Sequence, residues 1–452
     1  MKKLLSIIIT LALLNGCKTK NPYDLAITNA SVLDVRTGQV LKNKNIFIRK
    51  SIIENISDEA FESKNTIDAN GKLVTPGLID THIHPTDVFG DYERAPLFLP
   101  KDSLDILRKQ LSDEYLRYGT TTVMTMGQPE NWLKQMMGWT QPKSNCVDFM
   151  MSAGAFVSKE NRTPYIAHTL ASSPMEARKK ILDAYALGIR HLKIYSRIRE
   201  PEFSTVFKVA DSLGMIIYGH IGDFNPEFIK MPYALTKGVR NFEHLITIQN
   251  SVLNEDDWKL VNESFQKNYG EMDSEAKVIA YFLEQVRYAK EHRSAEMNAL
   301  IKTLAANKTT FSTTLHRLYY QFSPTCFTAK PTDTVATPQQ LQRSMDNFVI
   351  LMQYAKQMQG SGIEIRLGSD MPQGGKVNIS ELIIFAQYGF DVASIFKIAT
   401  YNGAKALGIA DKVGSVETDK KANLIIWERN PFEDYLNFNS NITVIKDGEV
   451  YK

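Results

Sequence analysis

The hydrophobic rhythm of the chain changes twice. Near the start, short runs rich in branched apolar residues occur at Leu25 to Ile27, Ser31 to Asp34, Asn45 to Ile48, Ile52 to Ile56 and Thr66 to Asp68, broken by Thr37-Gly38 and Asn70-Gly71. Such runs with turn residues between them predict short antiparallel strands. The same texture returns at Asn423 to Trp427 and Ile442 to Ile445, before Asp447-Gly448 and Val450. Neither end has enough strands to bury a face alone. The pattern therefore predicts one small β-sandwich assembled from both termini, residues 17–75 and 409–452.

Between the two ends the pattern becomes strand then helix, repeated. Apolar or Thr-rich runs fall at Leu78 to His82, Thr120 to Met126, Val147 to Ala153, Ile189 to Tyr195, Met215 to His220, Val239 to His244, Thr309 to His316 and Ile363 to Asp370. Several follow a helical stretch ending in glycine, as at Gly119, Gly188 and Gly214, where a left-handed C-cap is needed. Eight such units predict an α/β fold, a (β/α)8 TIM-like barrel over residues 76–408. The connection of residues 246–308 is too long for a barrel crossover. Val278, Phe282 and Val286, then Met297, Leu300, Ile301 and Leu304, give it helical spacing. It reads equally as a helical hairpin packed on the barrel or as a lid over its mouth.

The 452 residues are 43% apolar and 23% charged, the balance of a globular protein with a substantial core. Only the start departs from it. Met1-Lys2-Lys3, the apolar run Leu4 to Leu14 and Leu14-Asn15-Gly16-Cys17 describe a secretory leader, too short to span a bilayer. A cysteine after Leu-Asn-Gly resembles a bacterial lipobox. The resemblance implies removal of residues 1–16, lipidation of Cys17 and a bilayer-anchored protein of the cell envelope; an ordinary leader with an incidental cysteine is the alternative. Cleavage would remove Lys2 and Lys3 from a chain of formal net charge +3, leaving it near neutrality. That balance predicts no nucleic-acid partner and leaves oligomerisation open. Cys146 and Cys326 read as two isolated buried thiols.

Chemistry concentrates where a barrel keeps it, at the C-terminal ends of strands. His82 and His84 end the first, Lys193 the fourth, His220 the fifth, His244 the sixth and Asp370 the eighth, so four of the eight histidines take strand-end positions. A lysine and an aspartate beside them are costly to bury unpaired. His82 and His84, two apart in an extended segment, present both rings on one face and can grip one cation. Imidazoles with one carboxylate suit a hard-to-borderline divalent ion. His168 and His292 read as surface residues and His191 as a core group. His316, at the end of the seventh strand, reads equally as a substrate contact or as a packed residue.

Pro76-Gly77-Leu78-Ile79-Asp80-Thr81-His82-Ile83-His84, Lys193, the two later histidines and Gly368-Ser369-Asp370 resemble the amidohydrolase superfamily. The likeness runs from about Tyr23 to the end, through Ala399-Thr400-Tyr401-Asn402-Gly403-Ala404 and Gly414-Ser415-Val416-Glu417. Leu192 to Arg197, Gly219-His220 and Phe242-Glu243-His244-Leu245 are similar to the imidazolonepropionase-like and prolidase-like branch. Imidazolonepropionase lacks the metal-bridging lysine, so Lys193 points to the dinuclear relatives. The resemblance implies two Zn2+ per chain: His82, His84 and Asp370 around the more buried, His220 and His244 around the more exposed, and a CO2-derived carboxylate on Lys193 bridging them. It implies attack on a C–N bond by metal-activated hydroxide, with Asp370 as general base and then acid. Arginine suits bidentate carboxylate capture. Tyr195 and Arg197 after the lysine, and Arg317, Tyr319 and Tyr320 after the seventh strand, therefore suggest a small-molecule amide, cyclic amide or dipeptide-like substrate; the other reading, which is preferred, is that they pack the insertion against the barrel. A mononuclear ring deaminase, a lactonase and a non-catalytic ligand-binding envelope lipoprotein are the alternatives.

Overall fold

The computed structural model describes residues 22–90, 94–158, 168–222, 229–327 and 336–452. The expected leader, with Cys17, lies outside the described residues. Among those described, no helix is long and apolar enough to cross a membrane.

The terminal β-domain begins with β1 (Tyr23–Leu33), whose inward set Leu25, Ile27, Ala30 and Val32 alternates across a bulge at Asn29, φ 52°. The two runs expected there are thus one strand, bent so that both halves face the same core. β2 (Val40–Arg49) and β3 (Ile52–Ser57) form a hairpin on one edge of β1, while β4 (Ser63–Asp68) and β5 (Leu73–Pro76) share its other edge. β4 and β5 run parallel to β1, because each arrives by a crossover rather than a tight turn. The antiparallel expectation fails at these two pairings and holds at the rest.

The barrel follows after one residue. Its strands are β6 (Leu78–Ile83), β7 (Thr120–Thr125), β8 (Asp148–Val157), with a short outer partner β9 (His168–Leu170), then β10 (His191–Ile194), β11 (Ile216–Gly219), β12 (Asn241–Phe242), β13 (Thr310–Ser312) and β14 (Glu364–Arg366). All eight expected barrel strands are present and parallel. The ring is drawn together between its first and last strands by Thr81 N to Leu367 O and Asp370 N to His82 O, both 2.9 Å. These bonds place the two candidate metal-binding segments side by side.

The chain then returns to the terminal sheet. β15 (Leu424–Trp427) pairs antiparallel with β5, β16 (Ile442–Lys446) with β15, and β17 (Glu449–Val450) with β16, completing an eight-stranded sheet from both ends of the chain. Its junction with the barrel includes a buried ionic cluster beside apolar packing. Asp148, at the start of β8, accepts from Lys421 at 2.8 Å, Lys446 at 3.1 Å and Asn423 at 2.8 Å, and Lys446 is fully buried. Although burial alone would raise it, the two ammonium groups hold the Asp148 carboxyl below its usual value. Removing one partner of a buried pair leaves the other charge uncompensated. Asp148→Ala should therefore lower the unfolding free energy by about 3 kcal/mol in urea titrations.

The oversized connection holds helices Glu255–Tyr269 and Glu275–His292, then Ser294–Ala306, which occupies the ordinary barrel position before β13. The hairpin is fastened to helix Pro338–Gly360. Buried Glu284 accepts from Arg343 at 2.6 and 2.7 Å and from Asn347 at 2.7 Å, and Arg287 donates to Asn347. One of the hairpin's helices also forms a wall of the cavity described next. Cys146 is buried as expected, whereas Cys326 is exposed, and neither forms a disulfide.

Candidate metal centre

The strand ends converge on one cavity of about 530 Å³, lined among others by His82, His84, Lys193, Tyr195, His220, His244 and Asp370. The distances are those of a ligand cluster. Asp370 Oδ1 lies 3.1 Å from His84 Nε2 and 3.6 Å from His82 Nε2, and Oδ2 lies 3.9 Å from His244 Nδ1. Donor atoms of His82, His244 and Asp370 all fall within 4.8 Å of one another. Ring centroids of His82 and His244 are 4.7 Å apart, and those of His220 and His244 4.4 Å. His244 and Asp370 sit at φ 65° and 49°, conformations rare outside glycine and common where a site over-determines the backbone.

Outer partners fix which ring nitrogen faces inward. His82 Nδ1 donates to Glu243 Oε2 at 2.5 Å and His84 Nδ1 to the Gly127 carbonyl at 3.1 Å, leaving both Nε2 atoms toward Asp370. His244 Nδ1 is hydrogen-bonded to Thr314 Oγ1 at 2.9 Å. Glu243 is fully buried and also accepts from Ser312 Oγ at 2.6 Å and from the buried Arg366 guanidinium. Arg366 in turn donates to Thr81 Oγ1 at 2.7 Å and Thr310 Oγ1 at 3.0 Å. Asp80 ties the two metal-binding segments together, accepting from His82 N at 3.0 Å, Ser369 N at 3.1 Å and Asn378 at 3.0 Å. Sequence reasoning passed over Glu243, although it stands beside His244 in the quoted motif. Carboxylates behind ligating histidines hold ring orientation, and their loss costs about 10–100-fold in metal affinity. Glu243→Gln should show that loss as weaker retention of a divalent cation in chelator competition.

Burial dominates the electrostatics of the cluster. Burial brings His82 down to about 4 and holds His220 and His244 well below the usual imidazole value, so their nitrogens are free to coordinate. Burial would raise Asp370, but His82 and His84 hold it well below the carboxylate range. Lys193 is 2% exposed and its Nζ has no hydrogen-bond partner among the described residues. Burial lowers its ammonium to about 8, which makes the neutral amine accessible. An orphaned buried amine beside three imidazoles and a carboxylate fits a metal centre and fits little else.

Other sequence candidates divide. Tyr195 lines the cavity and packs its ring against those of His220 and His168, 4.6 and 4.7 Å away, so His168 borders the site rather than the open surface. Arg197 is not among the lining residues. His316 does not end a strand: β13 stops at Ser312, the chain turns at Thr314 with φ 53°, and His316 opens helix His316–Tyr319. It is fully buried, its backbone N–H on Glu381 at 2.7 Å and its ring against Tyr320, and it too is absent from the lining. His191 is a core group, hydrogen-bonded to Tyr218 at 3.1 Å. Arg317 and Tyr320 line the cavity, while Tyr319 packs against Phe322 and Phe348. Asp87, unnoticed in the sequence, also lines it, and burial pushes its carboxyl up to about 7.

Residues 322–451 match the amidohydrolase family model, a segment that includes Asp370 but none of the five upstream donors. The chain is 24% identical over 243 residues to an adenine deaminase of Oceanobacillus iheyensis, covering 51% of this chain and 36% of that one. It thus spans about a third of that relative's length. Over 424 residues it is 24% identical to a 5-methylthioadenosine/S-adenosylhomocysteine deaminase of Thermoanaerobacter pseudethanolicus, covering 89% of this chain and 85% of the relative. A solved Xaa-Pro dipeptidase superposes with TM-score 0.64 at 19% identity, covering 95% of this chain and 99% of the other. Residues 322–451 therefore resemble the amidohydrolase family, and the chain shares the barrel-and-sheet fold of that dipeptidase.

Proposed function

We propose that this protein is a metal-dependent hydrolase of a C–N bond in a small amide, cyclic amide or dipeptide-like molecule. The observation that carries the reading is the convergence of His82, His84, His220, His244 and Asp370 around the unpartnered, fully buried amine of Lys193. His82, His84 and Asp370 would hold one divalent cation, His220 and His244 a second, and both would be zinc. Lys193 would bridge them as a carbamate: its neutral amine forms an N–C bond with CO2 and releases a proton, giving an anionic ligand where an ammonium would repel cations. Cations so held supply polarisation of the substrate carbonyl and acidify a water molecule. Asp370 then acts as the proton carrier, taking the proton of the attacking water and delivering it to the leaving nitrogen. Glu243 and Arg366 keep His82 in register throughout.

The test is a panel of N-acyl amino acids, dipeptides and cyclic amides, assayed on metal-reconstituted protein truncated before Pro22. Turnover that vanishes with chelation and returns with Zn2+ supports the reading; a metal-loaded protein inert on the whole panel refutes it. Ring deamination is the second reading, favoured by the deaminase relative that spans most of the chain. Ammonia release from aminopurines without amide hydrolysis would establish it. The leader supports a place in the cell envelope with Cys17 acylated and held in the bilayer, which detergent partitioning of the Cys17→Ala protein tests.

A further inference from the structure

Arg317 stands in the cavity wall with a partner taken from the insertion. It is the second residue of helix His316–Tyr319, and its Nε and one terminal nitrogen donate to a single oxygen of Glu275 at 3.1 and 2.9 Å. Glu275 is the first residue of the insertion helix Glu275–His292, and both side chains line the cavity. The other terminal nitrogen of Arg317 lies 3.9 Å from Asp370 Oδ2. The pair is open to solvent, the arginine 39% and the glutamate 49% exposed. An exposed pair of this kind is screened by water and exchanges readily. Arginine's planar fork, by contrast, matches a carboxylate with two parallel hydrogen bonds, and Glu275 uses only one of its oxygens.

We propose that Arg317 is the residue of this cavity that recognises a carboxylate on the substrate. Glu275 is its internal competitor, holding the guanidinium until the substrate's carboxylate displaces it. The proposal rests on the hydrolase reading above and names the substrate class, an N-acyl α-amino acid or a dipeptide with a free C-terminal carboxylate. The closeness of Arg317 to Asp370 sets the position of the anion. A group held by the arginine must lie only a few bonds from the nitrogen that Asp370 protonates, which an α-carboxylate on the leaving amine satisfies and one at the far end of an acyl chain does not. Met126, Ile246, Ile279, Phe282 and Leu318 leave an apolar wall for the remainder of the molecule.

The experiment is calorimetric binding of N-acetylglycine and of its primary amide N-acetylglycinamide to the zinc-loaded full chain, its Glu275→Gln variant and its Arg317→Met variant. Folding of each is checked by its thermal midpoint, and Arg317→Lys serves as a charge-keeping second variant. The acid-to-amide affinity ratio should fall on the order of tenfold in Arg317→Met, fall less in Arg317→Lys, and rise severalfold in Glu275→Gln. A ratio unmoved by Arg317→Met overturns the carboxylate subsite. A ratio that falls in Glu275→Gln overturns the competitor role, since Glu275 would then be organising the arginine. Binding needs no turnover: acid-selective binding by a protein that hydrolyses no amide refutes the proposed reaction alone, and amide hydrolysis without acid preference refutes this inference alone.

Discussion

Under the proposed reaction, Asp370→Asn should lower kcat for amide hydrolysis by roughly 10²–10⁴-fold, the usual worth of a positioned proton carrier, while KM changes far less. The reason lies in what the amide keeps. Asn has the shape of Asp, the backbone N–H at 370 still bonds His82 O at 2.9 Å, and Asp80 still holds the neighbouring Ser369 N at 3.1 Å, so the loop stays in place. Five other donors remain to retain metal. What disappears is the anionic acceptor that His82 and His84 keep ionised across the neutral range. Stopped assays across pH, with metal content measured on the same samples, separate this loss from a loss of cations. Unchanged hydrolysis by the variant would remove Asp370 from the chemistry.

Lys193→Ala should cost the protein one of its two proposed cations and lower turnover roughly a thousandfold, since a carbonyl-polarising metal contributes several kcal/mol and each 1.36 kcal/mol is tenfold. The native amine has no hydrogen-bond partner among the described residues, and burial has already brought it down to about 8. Both facts are costs in a protein without a cation and are resolved when the nitrogen becomes part of an anionic bridge. Elemental analysis of purified protein is decisive. One equivalent of metal in the native chain, unchanged by the substitution, would leave a mononuclear site and favour the deaminase reading.

The barrel and its candidate site were legible in the sequence because five of the eight barrel runs carry a possible metal donor at or just beyond their ends: His82, Lys193, His220, His244 and Asp370. The partners behind them were not. Glu243, Thr314 and Ser312 look like ordinary polar residues, and their meaning depends on contacts such as Glu243 with His82, 161 positions apart. Local pattern carries no information about pairings of that range. His316 was misplaced for a different reason. The run from Thr309 keeps a strand-like composition past Ser312, and only the left-handed turn at Thr314 ends it. At Asn29 the converse happened, one residue of left-handed backbone making a single bent strand look like two.

The strand that receives the C-terminus is also the one that delivers the chain into the barrel. β5 ends at Pro76, β6 begins at Leu78, and between them Gly77 N bonds Asn423 O at 2.8 Å while Leu424 lies opposite Pro76. The segment bearing His82 and His84 is therefore braced by residues synthesised about 350 positions later. Every candidate donor side chain thus precedes in sequence the strand β15 that covers this edge. Such long-range pairing is slow to form. The sheet behind the barrel's entry strand is therefore closed only once residues 424–426 are in place.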